Sequence, residues 1–90
     1  MKNFSVKRKN HREKICKLIL SIVKQSDKRG IWISELRRKL EEAGIKLSWF
    51  GVKYYVFGQK IGEKEYGGWL KDEIVIANKE GRNVMLKIKL

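Results

Sequence analysis

The first apolar pattern along the chain has the spacing of a helix. Residues at intervals of three and four share one helix face, and five apolar residues follow that spacing: Ile15, Leu18, Ile19, Ile22 and Val23. Asn10 and Glu13 stand at the spacing of a capping box, whose side chains satisfy free backbone N–H groups at a helix start. We therefore predict a first helix from Asn10 to about Ser26, preceded by a flexible basic arm over residues 1–9.

Two more helices are predicted after a short β-prone run at residues 31–33, which could form an edge strand. Ser34 suits the N-cap of the second helix, and Gly44 suits the position just past its end. Ser48 is the predicted N-cap of the third helix. Because glycine weakens a helix, the two glycines that follow place the end of the third helix between residues 58 and 63.

The C-terminal part of the chain has the pattern of a β-hairpin. A polar connection over residues 63–72 leads to a predicted strand at 73–77, a glycine-containing turn at 78–81 and a return strand at 84–90 with alternating apolar positions. A hairpin alone is marginal in water, so it must pack on the helices. The prediction is one α+β domain over residues 10–90, since the chain is too short for two domains.

The charge of the chain indicates what kind of partner it binds. The formal net charge is +12, and residues 1–29 hold ten Lys and Arg side chains against two acids. Such an excess indicates an anionic partner, nucleic acid before a membrane surface. The apolar runs are too short to span a bilayer, the basic N-terminus has no apolar segment behind it, and one cysteine permits no disulfide within the chain. A cytoplasmic protein is expected.

The helix pair at residues 34–56 with the hairpin at residues 73–90 resembles the winged helix-turn-helix family. The resemblance implies that the first helix and the short strand form a scaffold. The third helix would enter the major groove, and the hairpin, or wing, would touch the backbone or the minor groove. The implied function is sequence-specific binding of double-stranded DNA in transcription regulation. The Lys and Ile richness and the absence of proline also resemble small regulators of thermophilic archaea and their viruses or plasmids; a viral protein would act in the host cytoplasm.

The resemblance and the charge distribution together select the candidate contacts with DNA. The third predicted helix carries a lysine and no acid, whereas a carboxylate there would repel phosphate. The second helix, the hairpin tip and the N-terminal segment add cations and small polar groups that suit phosphates. The predicted DNA-binding residues are Lys7, Arg8, Lys9, Arg12, Arg37, Arg38, Ser48, Trp49, Lys53, Tyr54, Lys60, Lys79, Arg82 and Asn83.

Several of these side chains would also be expected in a protein that binds no DNA. Arg37 and Arg38 stand about one turn from Glu41 and Glu42, so ion pairs within the second helix account for them equally well. Cations at a hairpin tip are exposed in any fold, and a basic N-terminal cluster can serve solvation alone.

The aromatic stretch at residues 49–57 would present two apolar faces on one helix. The resemblance implies that Val52, Tyr55 and Val56 pack inward. The other face would meet DNA, be covered by a second copy of the chain, or pack against Trp69 and the first helix, because monomers avoid large exposed apolar patches. The possible contacts of a homodimer are Phe50, Phe57 and Ile61.

Other functions stay open. A protein-interaction module could use the aromatic face of the third helix, and an RNA-binding domain is a further alternative. Enzymatic activity is not expected, since the chain has one histidine, scattered acids and no glycine-rich phosphate loop. No cofactor, metal, small-molecule ligand or membrane is expected as a partner. The expected partners are double-stranded DNA and a second copy of the chain.

Overall fold

A computed structural model describes residues 2–26 and 29–89, with residues 2–9 described by their backbone. Within these ranges the protein is α+β, with three helices and small antiparallel sheets. The elements are α1 (Lys2–Gln25), β1 (Ile31–Trp32), α2 (Ile33–Glu42), α3 (Trp49–Val56), β2 (Gln59–Ile61), β3 (Lys64–Tyr66), β4 (Ile74–Glu80) and β5 (Asn83–Ile88).

The main sheet has the strand order β1-β5-β4, and each neighbouring pair is antiparallel. The predicted edge strand is confirmed, because β1 pairs with β5 through Ile31 opposite Leu86. The helices and this sheet follow one another in an order that is compatible with a winged-helix-like fold. The described ranges include no helix with the length and apolar composition that crossing a bilayer requires.

The core lies where the helices meet the main sheet. From α1, Ile15, Ile19 and Val23 are almost completely buried, as their spacing predicted. Leu36 and Leu40 of α2 pack into the same apolar cluster, together with Val52 and Val56 of α3 and Val84 and Leu86 of β5. Full burial of one such side chain contributes about 1.5–3 kcal/mol, so this cluster holds the three helices on the sheet.

The prediction for the start of α1 was wrong. Helical backbone begins at Lys2, so residues 2–9 continue α1 and the expected flexible arm and capping box at Asn10 are replaced by one 24-residue helix. This segment contains no glycine or proline and several lysines and arginines, which are good helix formers. Adding residues to an existing helix requires no new nucleation, so the helix extends past the possible cap.

The start of α2 also differs from the prediction. Trp32 occupies the N-cap position and makes no capping hydrogen bond with its side chain, and Ser34 already lies inside the helix. The backbone N–H of Ser34 donates to Asn83 Oδ1 at 3.3 Å, and Asn83 Nδ2 donates to Ser34 Oγ at 3.2 Å. A residue from β5 therefore satisfies a free N–H group that sequence reasoning assigned to a local cap.

The third helix is shorter than predicted. It ends at Val56, and Gly58 follows with φ +81°, while its N–H donates to the carbonyl of Lys53 at 3.1 Å. The segment expected to be helix and polar connection contains instead a second hairpin, β2–β3, closed by the two residues Gly62 and Glu63. Gly62 has φ +65°, which glycine adopts without strain, and such a residue favours a two-residue hairpin turn.

The turn of the C-terminal hairpin lies further along than expected. β4 continues to Glu80 and β5 begins at Asn83, so the loop is Gly81–Arg82 rather than residues 78–81. The register shifts between Ile76 and Asn78, where β4 has one extra residue. The irregularity is therefore a bulge within the strand and not part of the turn.

Candidate nucleic-acid interface

The orientation of α3 is set by its cap and by two buried valines. The Oγ of Ser48 accepts a hydrogen bond from the N–H of Gly51 at 3.0 Å, which confirms the predicted N-cap. Val52 and Val56 are completely buried, as predicted, and Tyr55 packs partly against the core. The opposite side of α3 consequently faces solvent, and Phe50 on that side is 75% exposed.

The tip of the C-terminal hairpin is fastened to the first residue of α3. The indole N–H of Trp49 donates to the backbone carbonyl of Arg82. The Nζ of Lys53 lies 4.4 Å from the centre of the Trp49 ring, and the Phe50 ring meets the same indole edge-on at 4.8 Å. We call the surface formed by Trp49, Phe50, Lys53 and Arg82 the α3–wing surface.

The residues that were predicted to contact DNA have different roles at and near this surface. Trp49 uses its N–H within the protein, and Asn83 is hydrogen-bonded to Ser34 at the start of α2, so both position the hairpin. Arg82 and Lys79 are exposed near the tip, where Glu80 is the neighbouring acid. The cations that remain available to an anion are therefore Lys53 and Arg82 of the α3–wing surface and Lys79 near the hairpin tip.

The arginines of α2 are exposed and weakly engaged. Arg37 Nε donates to the carbonyl of Leu47 at 2.9 Å, and Arg38 forms an ion pair with Glu35 at 3.8 Å. The arginines do not form the predicted ion pairs with Glu41 and Glu42. Arg38 is paired instead with Glu35, which lies about one turn earlier in the helix. An exposed ion pair contributes about 0–1 kcal/mol, so Arg38 could exchange its partner for phosphate at little cost.

A second aromatic cluster joins α1 to the C-terminal half of α3. The guanidinium carbon of Arg12 lies 4.9 Å from the centre of the Trp69 ring. Tyr54 packs edge-on against the same ring at 5.5 Å, and Tyr55 packs at 5.3 Å. Packing on Trp69, which was part of one of the predicted alternatives, is confirmed for Tyr54, which is half-buried.

Burial also affects two titratable groups beside this cluster. Removal from water raises the pKa of the Tyr55 hydroxyl, and it raises the pKa of the Cys16 thiol against the opposing effect of Arg12. Both groups are therefore neutral at neutral pH. Cys16 packs against the core as a half-buried small side chain.

The three residues expected at a homodimer contact do not share one environment. Phe50 and Ile61 are exposed, at 75% and 59%, whereas Phe57 packs against the core. Phe57 therefore differs from the other two in its packing, and a homodimer contact of these residues stays a prediction. Helical spacing placed Phe57 and Ile61 on one face, but α3 ends before either residue is reached.

A shallow depression connects α3 with the second hairpin. Its lining includes Phe50, Lys53 and Tyr54 of α3 and, beyond Gly58, the exposed Gln59 at the start of β2. Sequence reasoning missed Gln59 because the pattern indicated the end of a helix at this point. The predicted contact Lys60 is the next residue and is exposed on β2.

The remaining predicted contacts are Lys7, Arg8 and Lys9. Their backbone belongs to α1, and their side chains lie outside the described part of the structure. Among the side chains that are described, no three His, Cys, Asp or Glu residues stand together in a way that could hold a metal ion. Comparisons with protein-family models, with curated proteins and with solved structures gave no match.

Proposed function

We propose that the protein is a winged helix-turn-helix protein that binds double-stranded DNA sequence-specifically and regulates transcription inside the cell. The observation that carries the proposal is the fastening of the hairpin tip to α3 through Trp49 and Arg82. This contact presents a helix and a hairpin on one side of the molecule. The net charge of +12 supplies the attraction to an anionic backbone.

The dimensions of α3 suit the proposed binding mode. An α-helix with its side chains is about 10–12 Å across, and the major groove of B-DNA is about 12 Å wide, so the groove admits a helix such as α3. α3 contains no acid, so nothing within the helix repels phosphate. In this mode Lys53, Lys79 and Arg82 contact phosphates, Arg37 and Arg38 extend the contacts along the backbone, and the ring of Phe50 is placed to touch a thymine methyl group.

A salt-titrated binding experiment tests this function. The unaltered protein is titrated with random duplex DNA, single-stranded DNA and RNA at several salt concentrations. We expect duplex DNA to bind most tightly, with log K falling by about 0.9 for each phosphate contact per decade of salt. Tighter binding to RNA, or no binding to any of the three, would contradict the proposal.

A second candidate function is favoured by one observation. Phe50 is 75% exposed and Ile61 59%, and exposed apolar surface can mark a site of contact with another protein. A protein partner, including a second copy of this chain, could cover them. Since Phe50 belongs to the α3–wing surface, such a partner would compete with DNA for the same face.

The substitution Phe50→Glu separates the two candidates. Because Phe50 is mostly exposed, the melting temperature should change little. If DNA uses this face, the introduced carboxylate repels phosphate, and we expect duplex affinity to fall by roughly tenfold with no change in molecular mass. Light scattering and duplex titration are the measurements.

Ile76→Glu is the matched control, because Ile76 is a 50% exposed apolar residue on β4. It should leave both the mass and the affinity nearly unchanged. A dimer mass that becomes a monomer mass only in Phe50→Glu would favour the second candidate. Phe57→Glu is unsuitable, since Phe57 packs against the core and a carboxylate there would destabilise the fold.

A further inference from the structure

The β2–β3 hairpin does not contribute to the core. Its strands are three residues long, and all six strand side chains are exposed. A hairpin of this size is marginally stable in water and loses conformational entropy when it is ordered, without burying apolar surface in return. Its order must therefore come from the way its base is attached to the rest of the protein.

The base of the hairpin is attached to α3 by contact between backbones. A Cβ on Gly67 would lie 2.4 Å from the carbonyl oxygen of Tyr54, and a Cβ on Gly58 would lie 2.6 Å from that of Tyr66. The N–H of Gly68 donates to the Tyr54 carbonyl at 2.8 Å. Because only glycine permits such close approach, the direction of the hairpin relative to α3 is fixed.

The two faces of the hairpin have different charges. Gln59 stands opposite Tyr66 and Ile61 opposite Lys64, so these four residues share one face. Lys60 and Glu65 share the other face, and the Glu65 carboxylate lies 3.6 Å from the Nζ of Lys71. The first face therefore carries a lysine and no acid. It adjoins α3, because Gln59 lines the same depression as Phe50 and Lys53.

The two hairpins are attached to different parts of α3. The C-terminal hairpin is fastened to the first residue of α3 through Trp49, and β2–β3 is attached to its last turn through Tyr54. The two attachment points, Trp49 and Tyr54, lie about 7.5 Å apart along the helix axis. If α3 lies across the groove, with its axis directed from one bordering strand to the other, each hairpin approaches a different DNA strand.

We propose that β2–β3 is a second DNA-contacting hairpin, which meets the strand across the major groove from the one that the C-terminal hairpin meets. Lys64 forms the ionic contact with phosphate, and Gln59 and Tyr66 donate hydrogen bonds to phosphate oxygens. This inference rests on the proposed function, because it adds a contact to the same interface.

The test compares Lys64→Glu with Lys60→Glu. The two variants alter the net charge equally, from +12 to +10, and lie on opposite faces of one hairpin, so the general loss of attraction is the same. We expect Lys64→Glu to weaken duplex affinity by roughly three- to tenfold more than Lys60→Glu, and Lys64→Ala to lower the salt slope by about one. Hydroxyl-radical footprinting should show protection on both strands with the unaltered protein and lost protection on one strand with Lys64→Glu.

The outcomes separate this inference from the function on which it rests. Equal effects of Lys64→Glu and Lys60→Glu, together with weakened binding in Lys53→Ala, would overturn the second contact and leave the proposed function intact. Absence of duplex binding by the unaltered protein would overturn both. Thermal melting of Lys64→Glu should match that of the unaltered protein, since Lys64 is exposed, whereas Lys60→Glu places a carboxylate opposite Glu65 and should lower the melting temperature slightly.

Discussion

The substitution Gly67→Ala is expected to destabilise the protein by about 3 kcal/mol or more. Gly67 has φ +71°, a conformation that costs other residues about 1–3 kcal/mol. The added Cβ would also lie 2.4 Å from the carbonyl oxygen of Tyr54, closer than two such atoms can approach, and the obstacle is backbone. The chain must therefore shift at the junction of β3 with α3, and the hydrogen bond from Gly68 to Tyr54 would be lost with it.

Urea denaturation measures this effect, and Gly62→Ala is the matched control. Gly62 has nearly the same conformation, with φ +65°, but nothing lies within 4 Å of its missing Cβ. Its replacement should therefore cost only the conformational term, about 1–2 kcal/mol. Thermal melting should follow the same order, at about 4–8 °C for each kcal/mol in a domain of this size. Equal destabilisation by the two substitutions would show that the contact with Tyr54 has no energetic role.

The helical faces could be predicted from the sequence because burial repeats with the helix itself. Ile15 and Ile19 on α1, and Val52 and Val56 on α3, are four residues apart, and each pair is buried. The same spacing brings Lys53 to Trp49, where the cation lies over the ring. Such contacts depend on neighbours within one element, so no knowledge of the tertiary fold was needed.

The errors occurred where a distant residue supplies the partner. Asn83 satisfies the start of α2 from 49 positions away, so the serine at the expected cap is free to lie inside the helix. Arg12 contacts Trp69 because the fold brings α1 next to the segment that follows β3. Neither of these two contacts can be predicted from the spacing of residues along the sequence, since the interacting residues belong to different elements.

The second hairpin was missed for a different reason. Its strands lack the alternation of apolar and polar residues, because both faces are exposed. The sequence signal for this hairpin was the pair Gly62 and Glu63, which can form a two-residue turn. Sequence reasoning treated this glycine only as a residue that weakens a helix. Gly58 ends α3 instead, with a positive φ that also permits the close approach of Tyr66.

These differences also alter the candidate interface. Sequence reasoning selected the cations and polar groups near α3 from charge and position along the chain, without knowledge of their partners in the fold. The structure separates them into side chains that hold the hairpin, such as Trp49 and Asn83, and side chains that remain available, such as Lys53 and Arg82. A substitution in the first group should alter stability, whereas one in the second group should alter binding.

The substitution Lys53→Glu should therefore have the largest effect on DNA binding. Lys53 is the lysine of α3, and its Nζ lies 4.4 Å from the centre of the Trp49 ring, whose N–H contacts the hairpin tip. Reversing its charge removes a charge-assisted contact worth about 1.5–3 kcal/mol and places a carboxylate against phosphate. Duplex affinity should fall by roughly tenfold to a hundredfold, as measured by titration at several salt concentrations.

Two further variants identify the cause of that loss. Lys17→Glu makes the same change in net charge on the exposed side of α1, so its effect measures the general attraction alone. Lys53→Met keeps an unbranched side chain over the Trp49 ring and removes only the charge, which should lower the salt slope by about one without loosening the hairpin. Equal weakening by Lys53→Glu and Lys17→Glu would mean that the protein is held by its net charge and that α3 does not enter the groove. A larger effect of Lys53→Glu, with the melting temperature retained in Lys53→Met, would locate the phosphate contact on α3 itself.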